Sequence, residues 1–292
     1  MAKQTLLVYG NCQAGCIAAF MSRTLAFSEA FDIPTLLGIH QMVEADLIGL
    51  YGHVNEASVL LSQDVSANYR GADFSSAHLV SLLQPNTKVL YFPSLYFSAY
   101  FPNLLYLRNP VTGGMFTGPG GDYHDRDILD SYIAKRTIPE TSRYLLDENH
   151  YDVDSVIRSF EEGCVEMRRR EKHIDVKLSD YIADNFADRR LFYVFNHPAN
   201  EVMFEVCSQV AKLLDVSFSA DALKNVDHWL SGASFPIHPA VHKALGLRFP
   251  YDSRFNASGV WNVEMEHALE MFYAYYDRTP DAVAAYKSVK YA

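Results

Sequence analysis

The sequence lacks both a long apolar run and an excess of basic residues. No stretch approaches the roughly 18 to 20 apolar residues that a membrane-spanning helix needs. The apolar run within the first residues, MAKQTLLVYGN, is too short for the apolar region of a secretory signal. The chain has 25 Lys and Arg against 35 Asp and Glu, a formal net charge of −10, which argues against sequence-blind attraction to nucleic acid or anionic membranes. We therefore expect a cytoplasmic protein with no membrane span and no nucleic-acid partner, in which any anionic ligand binds in a local basic pocket.

Cysteine is also scarce, with four in 292 residues. Cys12, Cys16, Cys164 and Cys207 form no CxxC pair and stand beside no histidine at the spacing of a zinc site, so we expect free thiols and no metal site. Aromatic residues are abundant, with 19 Tyr and 18 Phe. So many rings indicate a cleft lined by amphipathic side chains in addition to an apolar core.

Short apolar runs that alternate with helical periodicity predict an α/β fold with a mostly parallel sheet and flanking helices. The runs cover residues 5–9, 58–62, 88–92 and 191–195 and are apolar throughout, as in strands covered on both faces. Helical spacing begins at Cys16 and recurs over residues 75–83, 154–172, 201–214 and about 263–277. We expect a single compact unit over residues 1–292. Its sheet-bearing part spans residues 1–125, and a mainly helical part over 126–292 contributes one late strand at about 190–196.

Two segments have the composition of irregular structure. Residues 109–125 hold five of the 15 glycines and two prolines, which predicts a long loop of the kind that is often functional. Residues 228–259 contain three prolines and are expected to be irregular before the last helix.

The turn after the first strand, Gly10-Asn11-Cys12-Gln13-Ala14-Gly15, is the first candidate site. Such a turn exposes backbone N–H groups and the positive end of a helix dipole, which suit a phosphate, a carboxylate or a developing oxyanion. The dipole is also expected to make the Cys12 thiol ionise more readily. The turn is neither GxGxxG nor a P-loop, and a tight turn around a small buried cysteine explains the same residues equally well.

Asn196 and His197, directly after the run at 191–195, are the second candidate. The carboxyl end of a parallel strand would bring His197 to the same edge of the sheet as the Gly10 turn, where it could act as a general base. The alternative is that these residues only cap the helix that follows.

Further candidates follow other strands or flank the glycine-rich loop. Gln63 follows the run at 58–62, and Tyr96 and Tyr100 lie in an aromatic segment that could stack on an adenine or a sugar but could equally be core. Tyr123 and His124 end the glycine-rich loop, where they could close over a ligand or form an ordinary surface turn.

Two groups of basic residues could meet a phosphate. Arg108 and Arg126 flank the glycine-rich loop and are the preferred phosphate partners. The run Arg168-Arg169-Arg170 cannot share one helix face and is interpreted mainly as a favourable interaction with a helix C-terminus.

In order along the chain, GNCQ between strand and helix, PSLYFSAYFPNL, GDYHD and FNHP resemble the WcbI-type polysaccharide biosynthesis enzymes of bacterial capsule clusters. The resemblance runs from Gly10 to about Leu214 and implies a cradle-shaped fold that binds coenzyme A in a deep pocket and transfers an acetyl group to a capsular sugar. Residue by residue, the resemblance implies that the ligand loop is formed by Gly10, Asn11, Cys12 and Gln13. It places Tyr96 and Tyr100 on the wall of the pocket, Tyr123 and His124 at its mouth, and His197 on the opposite side. Asn103 departs from the family pattern, since it stands where an acidic residue is expected and cannot act as a carboxylate.

The layout is also similar to the SGNH hydrolases, whose core is Rossmann-like. Cys12 would occupy the place of their serine and His197 that of their histidine, but Val194 stands where the orienting acid is expected.

These observations lead to a CoA-dependent O-acyltransferase, with acetyl as the expected acyl group, that acts on a sugar or polysaccharide precursor. In this hypothesis the Gly10 loop, including Asn11, stabilises the oxyanion, His197 removes the acceptor proton, and Cys12 orients the thioester or accepts the acyl group. Coenzyme A or acetyl-CoA is the expected cofactor, and a carbohydrate acceptor and other polysaccharide-biosynthesis enzymes are the expected partners. Two alternatives stay open: an SGNH-like Cys/His esterase or deacylase, and a non-catalytic ligand-binding accessory protein.

Overall fold

The computed structural model describes residues 3–219 and 226–290. The chain folds into two compact units. The first unit comprises Met1–Leu95, Val165–Asp184 and Pro198–Leu230, and the second comprises Tyr96–Cys164, Asn185–His197 and Ser231–Ala292. Each unit is built from three separate stretches. The single compact unit that the sequence predicts, with a sheet-bearing part over residues 1–125 and a mainly helical part over 126–292, stays a prediction.

The elements of the described residues are numbered here in chain order. The strands are β1 Gln4–Tyr9, β2 Phe31–Asp32, β3 Val59–Gln63, β4 Lys88–Phe92, β5 Leu104–Tyr106, β6 Tyr123–Asp125, β7 Phe192–Val194, β8 His197–Pro198, β9 Phe255–Ala257 and β10 Val260–Val263. The helices are α1 Cys12–Ser22, α2 Leu25–Ala30, α3 Leu47–Glu56, α4 Ala67–Arg70, α5 Ser76–Ser81, α6 Arg126–Ile133, α7 Ile138–Leu145, α8 Val153–Arg170, α9 Ser179–Asn185, α10 Asn200–Leu214, α11 Pro239–Ala244, α12 Met265–Arg278 and α13 Pro280–Lys290.

A parallel sheet in the order β2-β1-β3-β4 forms the centre of the first unit. In register, Leu7 of β1 lies beside Leu60 of β3, which in turn lies beside Val89 of β4. Every residue of β3 is buried, as predicted for a strand covered on both faces. The predicted α/β class with a parallel sheet and flanking helices is therefore confirmed.

Helices cover this sheet because successive strand residues point to opposite faces. Leu7 and Tyr9 of β1 belong to one buried cluster with Leu50 and Val54 of α3. Elsewhere in the first unit α1 packs against α10, where the rings of Phe20 and Phe204 meet edge to face at 5.0 Å. α1 begins at Cys12, three residues after the end of β1.

The late strand differs from the prediction. β7 pairs with β8 in a separate two-stranded sheet and not with the parallel sheet, so the expectation that residues 191–195 extend that sheet is wrong. The run is apolar because it is packed among aromatic rings, with Phe192 stacked on Phe97 at 5.3 Å. A short apolar run cannot distinguish a sheet strand from an extended segment buried in this way.

The second unit combines small antiparallel pairs with helices. β5 and β6 pair across the glycine-rich loop, which is irregular as predicted apart from isolated bridges such as Arg108–Met115. The region 228–259, expected to be irregular, contains α11 and, from residue 255, the first strand of a hairpin. Pro239 at the first position of α11 is compatible with a helix start, so its presence did not argue against one. In the described ranges, no helix combines the length and the apolar character needed to cross a bilayer.

Candidate functional site

The Gly10 turn lies where β1 ends and α1 begins. A Cβ atom on Gly10 would lie only 2.5 Å from Oε1 of Gln63, so this position has no room for a side chain. The backbone N–H of Asn11 donates to the same Oε1 at 2.9 Å. Glycine is required here because the turn is drawn against the end of β3.

A pair of buried glutamines connects the turn to the loops after β3 and β4. Gln13 donates from Nε2 to the carbonyl of Leu95 at 2.9 Å and accepts the backbone N–H of Leu95 at 3.0 Å. Gln63 donates from Nε2 to Oε1 of Gln13 at 3.1 Å. Both side chains were predicted to bind the ligand, but in the structure they are buried and hold the three strand-end loops together. Their contact with a ligand stays a prediction.

Asn11 caps the helix. Its Oδ1 accepts the backbone N–H of Gln13 at 2.9 Å, and its Nδ2 lies 3.4 Å from Oγ of Ser94. The N–H groups of Asn11 and Gln13 therefore already have acceptors in the protein. This finding does not favour the predicted oxyanion site, which would need free donors in this turn.

The Cys12 thiol is half-buried at the first position of α1. Burial raises the pKa of this thiol above its ordinary value, and the backbone N–H groups of Gln13 and Cys12, which favour the thiolate, only partly offset that effect. The raised pKa does not agree with the prediction that Cys12 ionises more readily, because desolvation outweighs the backbone N–H groups that favour the thiolate. Cys12 is a neutral thiol at neutral pH.

An open cleft of about 640 Å³ adjoins this turn within the first unit, and we call it the arginine cleft. Its lining includes Asp64, Tyr91, Ser94, Arg169, Arg170 and His173. Asp64 follows β3 and Ser94 follows β4, so the cleft lies at the carboxyl ends of these strands, where ligands of open α/β sheets bind. Ser94, which contacts Asn11, joins the cleft to the turn.

Two arginines give the cleft positive charge. Arg169 and Arg170 end α8, and both contact Glu166, with Nε–O distances of 2.6 and 2.7 Å. Their hydrogen bonds hold the pKa of the exposed Glu166 carboxyl at about 2, so it stays ionised. Arg168 pairs instead with Asp180 at 3.0 Å. The sequence interpretation assigned this run to the helix end, and the structure adds that two of its members line a cleft.

The second unit brings several of the predicted residues together. Oη of Tyr123 donates to Oδ1 of Asn196 at 2.6 Å, and Nδ2 of Asn196 donates to Oη of Tyr106 at 2.9 Å. The ring of His197 meets that of Tyr123 edge to face at 5.4 Å. His197 belongs to the second unit and Cys12 to the first. The catalytic role of His197 stays a prediction.

Tyr96, Tyr100 and His124 differ in exposure. Tyr96 is 42% exposed, and its ring lies 4.7 Å from that of Phe195. Tyr100 is fully buried, and its hydroxyl donates to backbone carbonyls, one of them that of Arg189 at 3.1 Å. Tyr100 is therefore a core residue, which is the alternative that the sequence left open for the aromatic segment. His124 is also fully buried.

The ring of His124 is satisfied inside the protein. Its Nε2 lies 2.8 Å from the carbonyl of Phe116 and its Nδ1 lies 3.1 Å from Oη of Tyr276. Burial lowers the pKa of this histidine, so it is neutral at neutral pH. A position at the mouth of a pocket does not agree with this environment, which is that of a core residue.

The remaining predicted residues lie elsewhere in the second unit. Arg108 and Arg126 are exposed, and Nη1 of Arg108 lies 3.4 Å from the carbonyl of Gly113. Their contact with phosphate stays a prediction. Asn103, noted as a departure from the family pattern, is buried, and its Nδ2 donates to Oδ2 of Asp125.

Comparison with known proteins agrees with the sequence motifs. The model of the family described as polysaccharide biosynthesis enzyme WcbI matches residues 5–219. A solved structure of WcbI aligns with a TM-score of 0.81 over 97% of this chain and 93% of that chain, at 20% identity. Its description, a native protein without a disulfide bond between coenzyme A and a cysteine, refers to that protein. The search of curated proteins gives no match. With the family match covering most of its length, this chain belongs to the WcbI family of polysaccharide biosynthesis enzymes.

Proposed function

We propose that this chain is a CoA-dependent O-acyltransferase of carbohydrate biosynthesis, and that CoA lies in the arginine cleft with its sulfur end at Cys12. The observation that carries the proposal is the position of Cys12, half-buried in a turn joined through Asn11 and Ser94 to a cleft with two arginines. The description of the WcbI structure, which names coenzyme A and a cysteine, supports the same assignment.

The charge of the cleft fits the phosphates of CoA. The chain as a whole carries a formal charge of −10, so an anionic ligand needs a local concentration of cations. Arg169 and Arg170 supply such a concentration, and a guanidinium group binds phosphate oxygens through paired N–H donors. Glu166, which pairs with both arginines, and Asp64, which lines the same cleft, formally offset this charge, so the attraction depends on direct contacts between guanidinium groups and phosphate oxygens.

The neutral state of Cys12 favours direct transfer over an acyl-cysteine intermediate. A thiol whose pKa is raised by burial is a poor nucleophile at neutral pH, because the thiolate is the reactive form. In direct transfer the acceptor oxygen bonds to the acyl carbon, the carbon–sulfur bond of the thioester breaks, and CoA leaves with its sulfur protonated. Cys12 positions the thioester, and a base takes the acceptor proton and delivers it to the departing sulfur.

The sequence prediction that His197 is a general base, that acetyl is the acyl group and that a capsular or other polysaccharide precursor is the acceptor stays a prediction. Replacing His197 by Ala is expected to abolish transfer and to leave CoA binding unchanged. Turnover near the wild-type rate in this variant would remove His197 from the mechanism.

The binding half of the proposal is tested by calorimetry with CoA. The double variant Arg169→Gln/Arg170→Gln is expected to bind CoA at least about tenfold more weakly, with a smaller dependence of Kd on salt, because the phosphates lose their cationic partners. Arg168→Gln is the matched control, since it removes one charge from the same helix end but pairs with Asp180 outside the cleft lining. Equal loss of affinity in the double variant and the control would refute the assignment.

The catalytic half is tested by acyl transfer to carbohydrate acceptors in Cys12 variants. Direct transfer predicts that Cys12→Ser keeps turnover within about tenfold, whereas an acyl-cysteine route predicts a loss of several orders of magnitude. Ester hydrolysis without CoA would instead identify an esterase, and CoA binding without turnover on any acceptor would identify an accessory protein. Either outcome contradicts the proposed activity.

A further inference from the structure

A cluster of two histidines and an aspartate lies in the second unit. Asp127 belongs to the first turn of α6, His150 to the segment between α7 and α8, and His238 directly precedes α11. Their side chains are only 10%, 5% and 5% exposed, respectively. One ligand atom of each lies within 4.8 Å of those of the other two.

The spacing of these atoms approaches that of a metal site. With metal–ligand bonds of about 2.0–2.1 Å, two ligands of a tetrahedral zinc ion lie roughly 3.3 Å apart. Oδ2 of Asp127 lies 3.3 Å from Nε2 of His150 and 3.8 Å from Nε2 of His238. A small inward shift of the His238 ring would complete the arrangement.

The ring of His238 is incompletely satisfied by its protein neighbours. Among the described residues, its Nδ1 is the one buried side-chain polar atom without a hydrogen-bond partner. Buried polar atoms nearly always have a partner, so Nδ1 needs a partner of its own, which an ion bound at Nε2 does not supply. The ring stacks on that of His150 at 5.3 Å and meets that of Tyr151 edge to face at 5.3 Å.

The neighbours of the cluster restrict the tautomer of His238 but do not satisfy it. Nε2 of His238 lies 3.2 Å from Nδ2 of Asn103, a donor that also reaches Asp125. In one tautomer Nε2 accepts from the Asn103 amide, and the ring proton is on Nδ1, where it has no acceptor. In the other tautomer Nε2 carries the proton, so the N–H of His238 and the amide N–H of Asn103 face each other as two donors. No neutral tautomer satisfies both ring nitrogens in this environment.

The carboxylate of Asp127 is already oriented. Its Oδ2 accepts the hydroxyl of Tyr151 and lies within reach of His150. The neighbouring Asp125 is used differently, since its Oδ1 caps α6 by accepting the N–H groups of Asp127 and Ile128. Asp127 is therefore the carboxylate available to a cation, and partners of this kind fix the ligands of protein metal sites.

We propose that Asp127, His150 and His238 bind one divalent ion of the zinc type. Two imidazoles and one carboxylate are a donor set that zinc takes, with water as the fourth ligand. The ion would join the starts of α6 and α11 to the segment before α8. Cysteine spacing predicted no metal site, and these three ligands, which are dispersed along the chain, leave no such local signal in the sequence.

The test is metal binding by the full chain after treatment with a chelator. Titration with Co²⁺ is expected to give the intense visible absorption of a tetrahedral site at one ion per chain, and Zn²⁺ is expected to displace it and to raise the Tm. A full chain that binds neither ion at micromolar concentration would overturn the proposal and would leave a water molecule as the partner of His238.

Variants connect the binding to these side chains. His150→Ala, His238→Ala and Asp127→Asn are each expected to weaken Co²⁺ binding at least about 100-fold. His267→Ala is the matched control, because this histidine is 66% exposed and pairs with Glu270 on the surface of the same unit. Wild-type affinity in all three ligand variants would assign the ion to another site, and the titration of the unmodified chain decides the question even if a variant fails to fold.

Discussion

Replacing Gln13 by Leu tests whether the glutamine pair holds the strand-end loops together. The side chain is fully buried and makes three hydrogen bonds, two to the backbone of Leu95 and one to Gln63, at 2.9, 3.0 and 3.1 Å. Leucine has a similar size but leaves those three partners without Gln13. At about 1–3 kcal/mol for each unsatisfied buried group, and with partial relaxation, we expect the free energy of unfolding to fall by about 4 kcal/mol.

The assay is urea unfolding followed by fluorescence, with Gln41→Leu as the control. Gln41 is exposed in the first unit, so its replacement is expected to change the free energy of unfolding by no more than about 0.5 kcal/mol. The reasoning is refuted if Gln13→Leu lies within about 1 kcal/mol of the wild type, because the loops would then keep their positions without this side chain.

Three further predictions concern the same unit. Gly10→Ala is expected to lower the Tm and to weaken CoA binding, since the added Cβ would lie 2.5 Å from Gln63; an unchanged Tm in a thermal-shift assay would contradict this. Alkylation of Cys12 by iodoacetamide is expected to have its pH midpoint above about 8.5, the pH at which an ordinary thiol is half ionised, because burial raises the pKa of this thiol; a midpoint at or below that pH would be inconsistent. Glu166→Gln is expected to tighten CoA binding about threefold to tenfold at low salt by releasing positive charge in the arginine cleft, and no tightening in calorimetry would count against the cleft.

Much of the first unit could be predicted from the sequence. β1, the Gly10 turn and α1 were expected in this order, and the runs that form β3 and β4 were read as strands of a parallel sheet. These signals are local, because a strand buried on both faces is apolar throughout and an amphipathic helix repeats every 3.6 residues. The two-residue strand β2 is too short to produce either signal.

The contacts that define the sites could not be predicted in this way. The bonds between Gln13, Gln63 and Leu95 join residues 50 and 82 positions apart, and nothing in their local sequence indicates them. The charge state of Cys12 depends on a balance between burial and the helix terminus that only the packed structure resolves. Arg169 and Arg170 were recognised as a basic cluster, but their place in a cleft depends on where α8 ends beside the sheet.

The late strand illustrates a different kind of failure. The run at 191–195 is as apolar as β3, and the sequence alone gave no reason to treat the two differently. In the structure Phe192 packs on Phe97, and β7 joins only β8. The pairing partner of a strand is a property of the whole chain, and the expectation that the run at 191–195 extends the parallel sheet was wrong for this reason.

The most direct test of the central claim is the reaction of the full chain with CoA disulfide. Thiol–disulfide exchange transfers one CoA sulfur to a protein thiol and releases the other CoA as a thiol, so mass spectrometry can identify the modified cysteine. If the sulfur end of CoA lies at Cys12 and its phosphates lie in the arginine cleft, Cys12 will be modified faster by CoA disulfide than by glutathione disulfide. The double variant Arg169→Gln/Arg170→Gln will remove that preference. The control Arg168→Gln will keep it. Equal rates with the two disulfides, or modification at Cys164 in place of Cys12, would contradict the account.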